Sequence, residues 1–197
     1  MRKLLLLFAL TVLPLAVSAD EIIIGAQHYE LDDVRKTAIL TNVESSEDDV
    51  DVDIVLPTYV EYEGTSYRVT EIDQFAFHHF CFTNKLVSVI LPQHLMILNG
   101  ELWNCAGLTS ITIPKSITKI GQNVFWECNG LTSMTMKRSK PFPVSEDFFP
   151  DRQNAVLYVP RGSEDAYAAA DYWKDFKEIR GTVEPSDAFF EFDDSGF

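Results

Sequence analysis

The chain has 197 residues, with 30 acidic against 16 basic side chains, a formal net charge of −14 and a mean hydropathy of −0.02. That imbalance argues against nucleic acid or an anionic lipid surface as a partner, since both are held by clustered Lys and Arg.

Arg2 and Lys3 precede an apolar run, residues 4–17, followed by the small residues Ser18 and Ala19 ahead of Asp20. This pattern predicts a cleavable secretory signal peptide over residues 1–19. Its 14-residue apolar run falls short of the about 20 residues a spanning helix needs. Cys81 is the first cysteine, so none follows the cleavage point to carry a lipid. The expectation is an exported protein without membrane insertion, secreted, on the cell surface or in the periplasm. Removing residues 1–19 leaves 178 residues, a length that fits one domain.

Residues 20–69 are predicted to form an N-terminal β cap that includes a first rung. Short strands are expected at 21–24, 27–31 and 37–41, and the alternation in YVEYEGTSYRV around Glu63 and Gly64 reads as a β-hairpin. Asp49, Asp51 and Asp53 place carboxylates on one side of a strand. A calcium loop starting at Asp49 fails at Ile54 and Val60, where glycine and glutamate are needed, so a solvated acidic edge is the preferred reading. His78, His79 and Cys81 lack a second cluster with ligand spacing, and HHFCFTNK is read as an enlarged loop.

From residue 70 to 160 the chain repeats itself. LVSVILP ends at Pro92, LTSITIP at Pro114, LTSMTMK at Lys137 and NAVLYVP at Pro160, spacings of 22, 23 and 23 residues, with DVDIVLP ending upstream at Pro57. A period of about 20 to 29 residues with leucine-like positions in a short strand marks a leucine-rich-repeat solenoid. The predicted fold is β-rich, with about five short parallel rungs closed by a C-terminal cap over residues 161–183. That cap holds one short helix starting at Ser163 and running to about residue 172, with Trp173 and Phe176 adding bulk. The acidic aromatic segment 184–197 reads as a disordered tail in preference to an edge strand.

Cys105 and Cys128 each stand three residues before the strand-opening Leu108 and Leu131. A structural ladder of small semi-polar side chains is preferred there over a disulfide, because stacked side chains pointing the same way rarely meet bridge geometry. Alternation along the strands gives an outward column of Val55, Ile90, Thr112, Thr135 and Tyr158, flanked by Asp53, Ser88, Ser110, Ser133 and Val156. Ser88, Ile90, Ser110, Thr112, Ser133, Thr135 and Tyr158 form the candidate binding face. The alternative is that serine and threonine there simply solvate a sheet. With Tyr158 as its one aromatic platform, the face favours a protein or peptide ligand over carbohydrate.

ITKIGQNVFWECNGLTSMTM, the entry VLPTYVEYEGTSYRVTEIDQFAF and the closing LYVPRGSEDAYAAADYWKDF together resemble the BspA-like leucine-rich repeats, common in surface and secreted proteins of Bacteroidetes and some protozoa. The resemblance covers residues 52–179. It implies adhesins or capture proteins acting on host or extracellular proteins, with no shared catalytic residues. No nucleophile elbow, zinc-protease helix, phosphate loop or dinucleotide fingerprint occurs. The expectation is therefore a non-enzymatic binding module with no cofactor and no metal. The alternative is a structural or assembly factor of the cell envelope, whose partner docks on the acidic cap or the tail.

Overall fold

The computed structural model describes residues 20–44 and 52–182. The predicted signal peptide, the tail over 184–197, and Asp49 and Asp51 lie outside the described residues.

Strands β1 (Asp20–Ile24) and β2 (Gln27–Asp32) form an antiparallel hairpin that reverses at Gly25, whose φ of 63° suits a residue without a Cβ. Alternation in β2 and β3 (Thr37–Val43) buries Tyr29, Leu31, Ala38, Leu40 and Val43. After β4 (Val52–Val55), which joins a different sheet, β5 (Tyr59–Tyr62) and β6 (Thr65–Ile72) make the predicted hairpin. Its turn places both Glu63 and Gly64 at positive φ, the backbone that matches the twist of tight hairpins. The first sheet runs β1-β2-β3-β6-β5.

Residues 78–83 correct the loop reading: they form a helix, α1 (His78–Thr83), that turns Phe80 and Cys81 inward and ends at Asn84 in the left-handed conformation. Such a short helix shows no apolar period that a sequence reading can detect. Then follow β7 (Leu86–Ile90), β8 (Ile97–Leu98), β9 (Ser110–Ile113), β10 (Lys119–Ile120), β11 (Ser133–Met136) and β12 (Val156–Pro160). The C-terminal helix, α2 (Glu164–Ala168), is shorter than predicted, and the side chain of Ser163 makes no capping hydrogen bond; its carbonyl accepts from the N–H of Tyr167 instead. A strand absent from the sequence reading, β13 (Glu178–Thr182), then pairs in parallel with β12.

The second sheet has six strands in the order β13-β12-β11-β9-β7-β4, one more than the five rungs expected. Its inward row is Ile54, Val89, Ile111, Met134, Leu157 and Ile179, each opposite the next. Parallel β8 and β10 carry a second inward row through Leu98 and Ile120. Each fully buried Leu, Ile or Met contributes about 1.5–3 kcal/mol of apolar burial, so the equivalent positions stack into one continuous core. Polar groups between turns are satisfied from turn to turn: the hydroxyl of Thr109 donates to the carbonyl of Val87 and that of Thr132 to Thr109.

The chain closes at its C-terminal end with an aromatic plug. Trp173 packs against Phe142, Phe148, Tyr167 and Phe176, and its indole N–H donates to the carbonyl of Phe142 at 2.8 Å. Two 3-10 turns, Glu146–Phe148 and Arg152–Asn154, replace the regular bend of the preceding repeats.

Candidate functional site

Parallel pairing, in continuous register from Asp53 onward after a shift between Val52 and Asp53, places the outward side chains of six strands in two columns. Asp53, Ser88, Ser110, Ser133, Val156 and Glu178 form one, and Val55, Ile90, Thr112, Thr135, Tyr158 and Arg180 the other. All seven candidate face residues, Ser88 through Tyr158, therefore lie side by side on one surface. The columns are chemically graded. Val55 and Ile90 are exposed apolar residues at one end, hydroxyls occupy the middle, and Tyr158 meets a charged pair at the other. The Ser88 hydroxyl donates to the Asp53 carboxylate across two strands.

Glu178 and Arg180 escaped the sequence reading. Arg180 donates from Nε and Nη2 to the two carboxylate oxygens of Glu178, both at 2.6 Å, which lowers the carboxyl below its ordinary range and raises the guanidinium. The available signal was spacing: Arg180 follows Tyr158 by 22 residues, one repeat period. It was hidden because EIRGT carries neither the leucine that opens LVSVILP, LTSITIP and LTSMTMK nor the proline that closes four of the five other rungs.

The cysteine positions call for a correction. Cys105 and Cys128 are buried in equivalent bends, but Cys105 is bonded to Cys81, whose Cα lies 4.0 Å away. Cys128, in the equivalent bend one turn further on, is free, and the partner of Cys105 comes from α1 of the turn before. The Cys128 thiol points at the carbonyl of Leu102, 3.0 Å away, and burial pushes its pKa up to about 12. One turn further on, Arg152 takes the same place, three residues before the buried Ala155. Its guanidinium donates to the carbonyls of Glu146 and Phe149 and to Asp175. The column therefore satisfies backbone carbonyls first with a thiol and then with a guanidinium.

His78 and His79 lie on α1 and His94 beside Tyr59, with its Nε2 2.8 Å from the phenol oxygen. Among the described residues no group of three or more His, Cys, Asp or Glu is placed to hold a metal ion, and no helix is long and apolar enough to cross a membrane.

A stack of short parallel rungs with inward leucine-like rows defines the class: a leucine-rich-repeat solenoid. Residues 61–151 match the family model of the BspA type leucine rich repeat region in six copies, and that stretch is built of BspA-type leucine-rich repeats. Solved structures share the fold. A leucine-rich cell surface protein from Faecalibacterium prausnitzii matches with a TM-score of 0.52 at 20% identity, over 83% of this chain and 43% of its own. A leucine-rich repeat protein from Bacteroides capillosus matches at 0.54 and 19% identity, over 71% of this chain and 97% of its own. The T. pallidum leucine-rich repeat protein matches at 0.51 and 19% identity, over 84% of each chain. This chain thus spans less than half the length of the F. prausnitzii protein. No curated protein matches it.

Proposed function

We propose that the chain is an exported, non-enzymatic binding module that recognises a protein or peptide through the open face of the six-stranded sheet, as an adhesion or capture protein. The observation that carries this reading is the pair of registered columns, which array hydroxyls, exposed aliphatics, a tyrosine and an ion pair over one surface. Strand spacing sets their separation at about 4.8 Å, so a partner meets a fixed polar grid that requires little ordering on binding. One aromatic, Tyr158, lies in these columns, which supports a polypeptide over a stacked sugar. The signal-peptide pattern supports export, and the F. prausnitzii relative is described as a cell surface protein.

The test uses the full chain against an immobilised panel of extracellular proteins, compared with the charge-neutral double variant Thr112→Lys, Thr135→Glu. Wild type is expected to retain at least one panel member and the variant to lose about tenfold or more in affinity, as for substitutions at the centre of an interface. Equal binding by both proteins rules out the sheet face.

A further inference from the structure

The turn that carries α1 departs from the repeat, and the departure builds a surface away from the sheet. From Phe77 to Leu86 is nine residues, whereas Leu102 to Leu108 and Phe125 to Leu131 are six each. The extra residues wind into α1, which turns Phe80 and Cys81 into the core and leaves Phe82 outside. Phe75, Phe82 and Trp103 are 61%, 53% and 46% exposed, and their rings run in sequence with His78. Centroid separations are 6.1 Å for Phe75 to His78, 4.4 Å for His78 to Phe82 and 6.1 Å for Phe82 to Trp103. A contiguous strip of exposed rings leaves a large apolar area in water and marks an interaction site.

These rings line a cleft of about 390 Å³ whose wall includes Glu101. The carboxylate is only 6% exposed and accepts from the N–H groups of Asn99 and Gly100 through Oε2, at 2.7 and 3.0 Å. Burial nevertheless pushes its pKa up, and the charge of Glu71 adds to the effect. A second cleft shares Gln74, Asn99 and Glu101 with the first and adds Glu71 and Asp73. Neither lining contains Lys or Arg. The two together make an aromatic groove with negative charge along it.

We propose that this groove docks a basic segment of a partner protein, with an Arg or Lys stem lying across Phe82 and Trp103, its head at Glu101, and a neighbouring basic residue facing Glu71 and Asp73. Cations are attracted to aromatic faces within about 6 Å of the ring centre, Arg stacks on them, and both side chains lay apolar stems on apolar surface. Charge complementarity selects this occupant. A neutral sugar stacks on rings but gains nothing from three carboxylates. Residues 184–197, with five acidic and no basic side chains, are repelled by them. The groove shares no residue with the sheet columns, and the proposal rests on the reading of the chain as a binding module only in taking the ligand to be polypeptide.

Hexa-arginine peptide, titrated into the full chain at physiological salt and followed by tryptophan fluorescence and calorimetry, is the direct probe. Saturable one-to-one binding is expected, weakened about tenfold by Phe82→Ser or Trp103→Ser and also weakened by Glu101→Gln, consistent with loss of a cation–π contact and its counter-charge. The sheet-face variant Thr112→Lys, Thr135→Glu should bind the peptide as wild type does, which separates failure of this proposal from failure of the sheet-face reading. Phe82 is exposed, so Phe82→Ser tests the groove even if Trp103→Ser misfolds. The proposal is overturned by absent binding, by affinity unchanged in Phe82→Ser, by maltohexaose binding in place of the peptide, or by binding that emerges only after residues 184–197 are deleted.

Discussion

Gly107 and Gly130 lie against the backbone of the preceding turn. A Cβ on Gly107 would fall on the carbonyl oxygen of Asn84, and one on Gly130 on that of Ala106, inside van der Waals contact in both cases. The obstacle is backbone, which cannot rotate aside, so Gly107→Ala or Gly130→Ala must push two turns apart. Each should cost about 1–3 kcal/mol, the usual range for an overpacked site, and lower the urea midpoint without altering its slope. An unchanged midpoint would show that the turns yield freely. At this scale legibility followed chemistry. Leu108, Ile111, Phe125 and Met134 announced their buried places by recurring, because burial demands the same apolar type in every turn. Gly107 and Gly130 also recur, but nothing in the spacing tells close approach from a flexible turn. Arg152 was illegible because it does the work of a cysteine with unrelated chemistry.

Among the elements, β2 carries an ionisable bridge across the cap. His28 sends Nε2 to Glu44, 2.8 Å away, while Nδ1 lies 3.5 Å from Glu21 on β1. The hydrogen bond to Glu44 raises its pKa, against the opposing effect of desolvation, and Glu21 adds to the rise. A raised folded-state value means that the bridge contributes fully below the unfolded value of about 6.5 and is lost as pH rises through the folded one. Both carboxylates are largely exposed, so screening holds the contribution to about 0.2–1 kcal/mol. Wild type should therefore lose this contribution as pH rises from about 6.5 through the raised folded-state value, and His28→Gln should flatten that part of the profile in urea unfolding. Coincident profiles would show that the bridge contributes nothing. The strands that form this bridge were readable because β2 and β3 alternate apolar and polar residues. The bridge was not, since Glu44 joins it only through the fold.

For the whole molecule, a solenoid holds together by contacts between neighbouring turns, so its stability need not be uniform along the axis. The C-terminal turns are closed by Trp173, Phe148, Phe149 and Phe176, large rings in mutual contact. The turn bearing α1 has no such plug, and the Cys81–Cys105 bond, spanning 24 positions in sequence, ties it to the next. Closing a loop of that size removes unfolded-state freedom equivalent to about 3 kcal/mol. Reduction, or the double variant Cys81→Ser, Cys105→Ser, should thus loosen one part of the molecule before the rest. Hydrogen exchange should quicken first in α1, β4 and β7 and leave β11 and β12 protected, because the aromatic plug is untouched. Cys128 should stay unreactive toward thiol reagents in the native state, buried as it is with its pKa pushed up to about 12. Uniform quickening would mean that the turns unfold as one unit. Faster exchange at β11 and β12 would place the weak interface at the wrong end. The same loosening should spoil the aromatic groove, since Cys81 lines it and α1 carries Phe82. Hexa-arginine binding should accordingly weaken on reduction, while recognition at the strands β9 to β12, held from the plugged end, persists.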